Sequence, residues 1–234
     1  MSLQSPRDFR GSRQAGTTVT RGPRRANGRR QTRDPERTRE AILAAAETEF
    51  AAKGLSGARV DAIARRARAN KRMIYHYFGS KDRLYAAVLE RVYAARRGSE
   101  RTLDLAHLDP QAAIRALVEF NFAYAKAHPE FIRLVNNENL YGARHLRGSN
   151  RVRALHSPLL EMIADILRRG AEQGVFRRDV DPVQLYISIA GLGYFYLSNN
   201  ATLSAVFGRD LSTPMEKSKR RQHMVDVILG YLRP

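Results

Sequence analysis

The sequence predicts an all-α protein. Past about residue 35, apolar residues recur at i, i+3, i+4 and i+7, the spacing that gathers them on one helical face. Asp-Pro and His-Pro pairs and isolated glycines interrupt this pattern at helix-length intervals. No segment alternates apolar and polar residues as a half-buried strand would. About nine helices fit between the breaks. They divide into an N-terminal three-helix helix-turn-helix domain and a larger C-terminal helical domain.

Met1 to about Pro35 is rich in Arg, Gly, Ser, Gln and Thr and nearly lacks apolar residues, so it is expected to be disordered. It is either an arm that places arginines in a DNA minor groove or an inert tail. The first helix runs from about Pro35 to Lys53, with Ile42, Leu43, Ala46, Phe50 and Ala51 inward and Gly54 as its stop. Leu55 to Ala58 turns the chain. In the second helix Val60, Ile63, Ala64 and Ala67 share the inner face, while Arg65, Arg66 and Arg68 lie on or beside the other. Asn70 caps a third helix, Lys71 to Tyr77, with Ile74 and Phe78 inward. An apolar helix, a tight corner and a short basic, aromatic helix make a helix-turn-helix, whose second helix enters the DNA major groove.

The parts of this region, in order, are Ala41 to Ala46, Phe50, Gly54, Val60-x-x-Ile63-Ala64-x-x-Ala67, Ile74 to Phe78, and Ser80-Lys81-Asp82-x-Leu84. Together, over Thr38 to Leu84, they resemble the DNA-binding domain of the TetR family of bacterial transcriptional regulators. The rest of the chain matches only as a helical pattern. Two positions depart from the family. Arg59 stands where Thr is frequent, losing a capping hydroxyl and gaining a charge that can reach a phosphate. Arg68 stands in the turn where Gly is usual; a left-handed conformation there costs on the order of 1 kcal/mol over glycine, and phosphate attraction can offset it. Lys71 and Arg72 are placed to meet base edges, Arg72 in the two-pronged geometry that suits guanine. Met73 can meet a thymine methyl. His76, Tyr77 and Lys81 resemble the family's phosphate contacts, and Lys81 opens the next helix, whose free N–H groups favour an anion. Tyr75 either touches DNA or packs between the first and third helices.

A fourth helix, from about Ser80 to Leu105, carries the stripe Leu84, Val88, Leu89, Val92, with Gly98-Ser99 as a loosening point. Asp109-Pro110 starts a fifth and His128-Pro129 a sixth, Glu130 to about Leu140. A loop from about Gly142 to Ser149 precedes a seventh, Asn150 to Gln173, in which Pro158 predicts a kink or break. The eighth, Val183 to Leu197, is apolar nearly all round and so expected to be buried on all sides. A short segment, Ala201 to Phe207, leads to the ninth, Thr213 to Leu232, whose face is Met215, Met224, Val225, Val227, Ile228 and Leu232. The expected domains are the arm (1–35), the helix-turn-helix domain (36–83) and an effector-binding and dimerisation domain (84–234).

The net charge of +18 is uneven: residues 1–35 carry nine arginines against two aspartates and residues 36–85 eleven basic against six acidic residues. A basic excess over a DNA-reading motif implies a polyanionic partner. The chain has no cysteine, which excludes disulfides, thiol catalysis and Cys-ligated zinc. No apolar run has the length of a membrane span, and the N-terminus lacks the apolar core of a secretory signal. A cytoplasmic protein, at the nucleoid when bound to DNA, is expected. No G-x-S-x-G, phosphate loop or H-E-x-x-H is present, and the six histidines are scattered without metal-ligand spacing. No enzyme, cofactor or metal is therefore expected.

One helix-turn-helix makes few base contacts, so such proteins usually pair two heads across half-sites. The eighth and ninth helices can supply a homodimer seam as a four-helix bundle from two chains, an arrangement the resemblance also implies. Aromatic and amide residues on inner faces suggest a cavity for a small molecule. The candidates are Phe120 and Tyr124 from the fifth helix, and Phe131, Asn136 and Asn137 from the sixth. Tyr186, Tyr194, Phe195 and Asn199 come from the eighth. The resemblance implies an effector between helices four and eight whose binding opposes DNA binding, and predicts a repressor of a palindromic operator. The lining suggests a small aromatic or heteroaromatic effector; a large lipophilic drug or acyl-CoA stays open. The rival readings are a sequence-neutral basic DNA-packing protein and a basic membrane-surface protein.

Overall fold

The computed structural model describes residues 34–234. The expected arm falls almost wholly outside the described residues. Ten α-helices and one 3₁₀ turn, with no strand, make up the described part. They are α1 (Pro35–Gly57), α2 (Val60–Arg66), α3 (Lys71–Phe78), α4 (Lys81–Glu100), the 3₁₀ turn (Leu105–His107), α5 (Pro110–Ala127) and α6 (Pro129–Leu140). They continue with α7 (Asn150–Glu172), α8 (Pro182–Ser198), α9 (Asn200–Phe207) and α10 (Pro214–Leu232).

Side chains cap most of the helix starts. Asp34, Asn70, Ser80, Asp109, Asp181 and Thr213 each accept a backbone N–H from the first turn of the helix that follows. α1, α5, α6, α8 and α10 also have proline at their start, where its missing N–H costs nothing. Gly54 breaks α1 with φ 66°, after which one further turn runs to Gly57. A Cβ at Gly54 would lie 2.4 Å from the Asn137 amide, so glycine also permits α6 to approach.

Two apolar cores organise the helices. In the first, Ile42, Phe50, Ile63, Ile74, Phe78 and Tyr85 from α1–α4 pack together, and Phe131 and Leu134 of α6 complete it. The second is built from α5, α7, α8 and α10, around Ile114, Leu117, Ile163, Ile189, Met224 and Ile228. Thus α6 belongs to the core built by α1–α4 although it lies far along the chain.

Several expectations are corrected. α4 stops at Glu100 and does not reach Leu105, because the chain turns there to bury Leu105, 1 % exposed, in the second core. Gly98-Ser99 stays helical. α7 runs unbroken through Pro158. Both Pro158 and Ala154, the carbonyl its ring displaces, are exposed, so water can serve the freed oxygen. α8 is not buried all round: Val183, Ile187 and Phe195 are exposed and, with Gly191, share one face at four-residue spacing. In α10, Met224, Val225, Ile228 and Leu232 are buried, whereas Met215, Val227 and Tyr231 are exposed. No described helix is long and apolar enough to cross a membrane.

Candidate DNA interface and effector cavity

α3 is held from below and open above. Ile74 and Phe78 anchor it in the first core, leaving Lys71, Arg72, Tyr75 and His76 exposed. Asn70 Oδ1 accepts the Arg72 N–H at 2.9 Å, so this oxygen serves the helix start and is not a free base reader. Lys71 Nζ lies 3.0 Å from Asp61 of α2. That hydrogen bond holds the Asp61 carboxyl below its usual range and the Lys71 ammonium above its own. Tyr75, 44 % exposed, faces away from the core; the packing role falls to Tyr77. Met73 is half-buried against the same core, so only part of it is open to a thymine methyl. Arg59 and Arg68 are exposed before α2 and α3, and Arg68 has φ 50°. Lys81 Nζ reaches the Ser56 carbonyl at 3.4 Å, at the start of α4. Arg65, Arg66 and Arg83 are also exposed around the motif. These exposed basic side chains surround α3, with exposed Asp61 and Asp82 among them.

A cavity of about 550 Å³ lies among α4, α5, α6, α7 and α8. Tyr93, Phe131, Tyr186 and Tyr194 supply rings, and Ala125, Ile132, Val135, Ile187 and Ala190 supply aliphatic wall. Its polar groups are Arg96 and Arg97 of α4, Asn121, Asn139 and His156. Arg96 is 7 % and Arg97 2 % exposed. The Arg96 guanidinium lies over the Phe131 ring at 4.9 Å and bonds Asn121 Oδ1 through Nη2. Arg97 Nη2 donates to the Tyr186 hydroxyl at 2.8 Å. Glu100 flanks both arginines, and burial pushes its carboxyl up, the arginines only partly offsetting this. Burial and the two arginines push the His156 imidazole down, while its Nδ1 bonds the Val152 carbonyl at 2.7 Å.

Known proteins resemble the chain on both sides of this geometry. Residues 42–88 match the family described as bacterial regulatory proteins, tetR family. Residues 110–228 match the family described as tetracyclin repressor-like, C-terminal domain. The HTH-type transcriptional repressor NicS of Pseudomonas putida is 39 % identical over 198 residues, covering 85 % of this chain and 93 % of that protein. The chain belongs to the TetR family. The HTH-type transcriptional regulator RutR of Escherichia coli is 26 % identical over 92 % of this chain and all of that one. Among solved structures, SCO4942 from Streptomyces coelicolor superposes with a TM-score of 0.63 at 29 % identity, covering 84 % of this chain and 99 % of that one. The chain is accordingly a DNA-binding transcriptional regulator and not an enzyme.

In this TetR-family chain the sequence-predicted effector residues do not all meet. Phe131, Tyr186 and Tyr194 line the cavity together. Tyr124 is buried behind it, with Arg96 over its ring at 5.6 Å, and Phe120 leans on Tyr124 at 5.7 Å. Asn136 ties α6 to α8 through Ser198 and Tyr194. Asn199 donates to the Phe195 carbonyl at the end of α8, and Phe195 is 57 % exposed on the outer face. Asn137 points the other way: its Oδ1 accepts the Leu55 N–H at 3.0 Å and the Tyr85 hydroxyl at 3.3 Å.

Next to it, buried Glu138 accepts the His145 N–H and Nδ1 at 2.8 and 2.7 Å, and His145 Nε2 lies 3.3 Å from Asp82 at the start of α4. One side of α6 therefore lines the cavity and the other grips the end of α1 and the start of α4. The sequence reading missed Tyr93, Arg96, Arg97, Asn121 and His156. A signal existed for the arginines: Arg96 and Arg97 lie four residues beyond Val92 and Tyr93, on the register of α4's apolar stripe.

Proposed function

We propose that the chain is a repressor that binds a palindromic operator as a homodimer and leaves it when a small molecule fills the cavity. The observation that carries this is the double role of α6. It lines the cavity through Phe131, Ile132 and Val135, and it holds the head through Leu134, Asn137 and Glu138. A ligand that shifts α6 moves the point where α1 and α4 are gripped, and so the setting of α3. Packed cores switch between discrete arrangements, so a small shift at α6 can reach the head. Effector and operator then oppose each other by reciprocal linkage.

In this reading residues 36–83 are the DNA-binding head and 84–234 the effector and dimer part. Lys71, Arg72, Tyr75 and part of Met73 read bases. Arg59, Arg68, His76, Tyr77 and Lys81 hold phosphates, and Asn70 fixes the helix that presents them. A second copy covers the outer stripe of α8 (Val183, Ile187, Phe195) and the exposed edge of α10 (Val227, Tyr231), apolar surface that a lone chain leaves in water. The protein works in the cytoplasm, at the nucleoid when on DNA. A sequence-neutral packing protein would account for the charge, but not for the cavity or the stripe. Sedimentation of the chain with a duplex carrying its inverted repeat tests this. Two chains per duplex, released together, are expected; single chains spaced along any duplex would overturn it.

A further inference from the structure

The cavity holds more positive charge than its walls neutralise. Two guanidinium groups bring ten N–H donors into a wall that is almost dry. Against them stand Asn121 Oδ1, the Tyr186 hydroxyl and one carboxylate, Glu100. Glu100 lies 3.7 Å from Arg96 Nε and pairs with Arg97 Nη1, and it is not itself part of the cavity lining. Two buried guanidinium groups therefore share one carboxylate, which leaves one positive charge in excess beside the cavity. A buried charge without its counter-charge is costly, and an arriving anion relieves that cost.

We infer that the effector is an aromatic carboxylate, its carboxylate on Arg97 and Arg96 and its ring on the aromatic walls. This rests on the cavity being the effector site, as proposed above. The planar guanidinium presents paired donors that match a carboxylate's two oxygens. The excess is a single charge, two arginines against Glu100, which a monocarboxylate balances and a phosphate dianion would overshoot. Tyr93, Phe131, Tyr186 and Tyr194 offer ring faces and edges to a flat ligand. His156 adds a direction: with Nδ1 donating to Val152, its neutral ring keeps Nε2 as an acceptor. A hydroxyl or ring N–H on the ligand can meet it.

The test is calorimetric titration of the full chain with benzoate, 4-hydroxybenzoate and 2-naphthoate, each beside its neutral amide, and with hexanoate. The expected result is one site per chain for at least one aromatic acid. That acid binds roughly 10- to 100-fold more tightly than its amide, the range of a charged hydrogen-bond pair, and more tightly than hexanoate. Arg97→Met combined with Glu100→Met removes one charge of each sign, which a buried site tolerates better than an orphaned partner. Folded by circular dichroism, this variant should lose the preference for acid over amide. Arg97→Lys, which keeps the charge but not the fork, should lose part of it.

No binding by any of the three acids, equal binding of the amides, equal binding of hexanoate, or a variant that keeps the preference would each overturn the inference. Operator release, read in parallel, separates the two levels. An acid that binds without releasing DNA leaves the carboxylate site standing and removes its regulatory role. Release by a neutral amide, with no acid bound, does the reverse.

Discussion

Replacing Arg68 with glycine separates the demands of folding from those of DNA binding. Arg68 turns the chain between α2 and α3 with φ 50°. Its N–H donates to the Arg65 carbonyl at 3.2 Å, and the next N–H, of Ala69, to the Ala64 carbonyl at 3.0 Å. Its side chain is exposed and makes no hydrogen bond or ion pair with the described residues. A Cβ in the left-handed region costs roughly 1–2 kcal/mol, because it crowds the following carbonyl. Glycine removes that cost, but its freer unfolded chain returns about 0.4–1 kcal/mol. Arg68→Gly should therefore stabilise the protein by about 0.5–1 kcal/mol in urea denaturation. DNA affinity should move the opposite way. If each Arg68 of a dimer neutralises one phosphate, the slope of log affinity against log salt becomes shallower by roughly 1.8 for the pair. Fluorescence anisotropy over a salt series reads this slope. A less stable variant would refute the strain argument. A more stable variant with an unchanged slope would refute the idea that the strain is retained for DNA.

Asn137→Ala should remove the acceptor of the Leu55 N–H and weaken the hold on Tyr85, lowering stability by about 1–3 kcal/mol in urea. Because Asn137 does not line the cavity, effector affinity measured without DNA should stay near wild type while effector-driven operator release weakens. Phe195→Glu places a charge on the outer stripe of α8; sedimentation should show monomers, and operator affinity should fall with the loss of the paired head. Glu100 gives a pH dependence. Its folded carboxyl titrates above the ordinary value of 4.5, so between those two values the folded protein holds a proton that the unfolded chain has released. Stability supplied by that proton fades as pH rises through the folded value. Protonation also removes the negative charge beside Arg97, so a bound carboxylate should tighten as pH falls through the same window. Glu100→Gln should flatten that profile, as measured by titration at several pH values.

The head was legible because its signals are local. Capping residues, the Val60–Ala67 register and the inward Ile74 and Phe78 each follow from backbone geometry within one or two turns. The cavity was less legible because lining depends on which neighbour an inner face meets. Asn136 and Asn137 are adjacent on α6, yet one reaches α8 and the other α1 and α4. Arg96 and Arg97 escaped notice because charged residues are ordinarily assigned to the solvated face, although their register placed them inside. In α8 the pattern was apolar on every side, which cannot tell a face covered by the same chain from one left open. Pro158 marked a break by local rules, but an exposed position let the helix pass through it.

The most direct measurement is selection of random double-stranded DNA by the purified full chain at about physiological salt, followed by sequencing. A dimeric reader should enrich an inverted repeat, with half-sites about one helical turn apart, and Arg72→Ala should relax selection at one base position in each half. Tight binding without enrichment, vanishing as salt rises, would contradict a sequence-reading repressor and leave only the attraction of a +18 chain for phosphate.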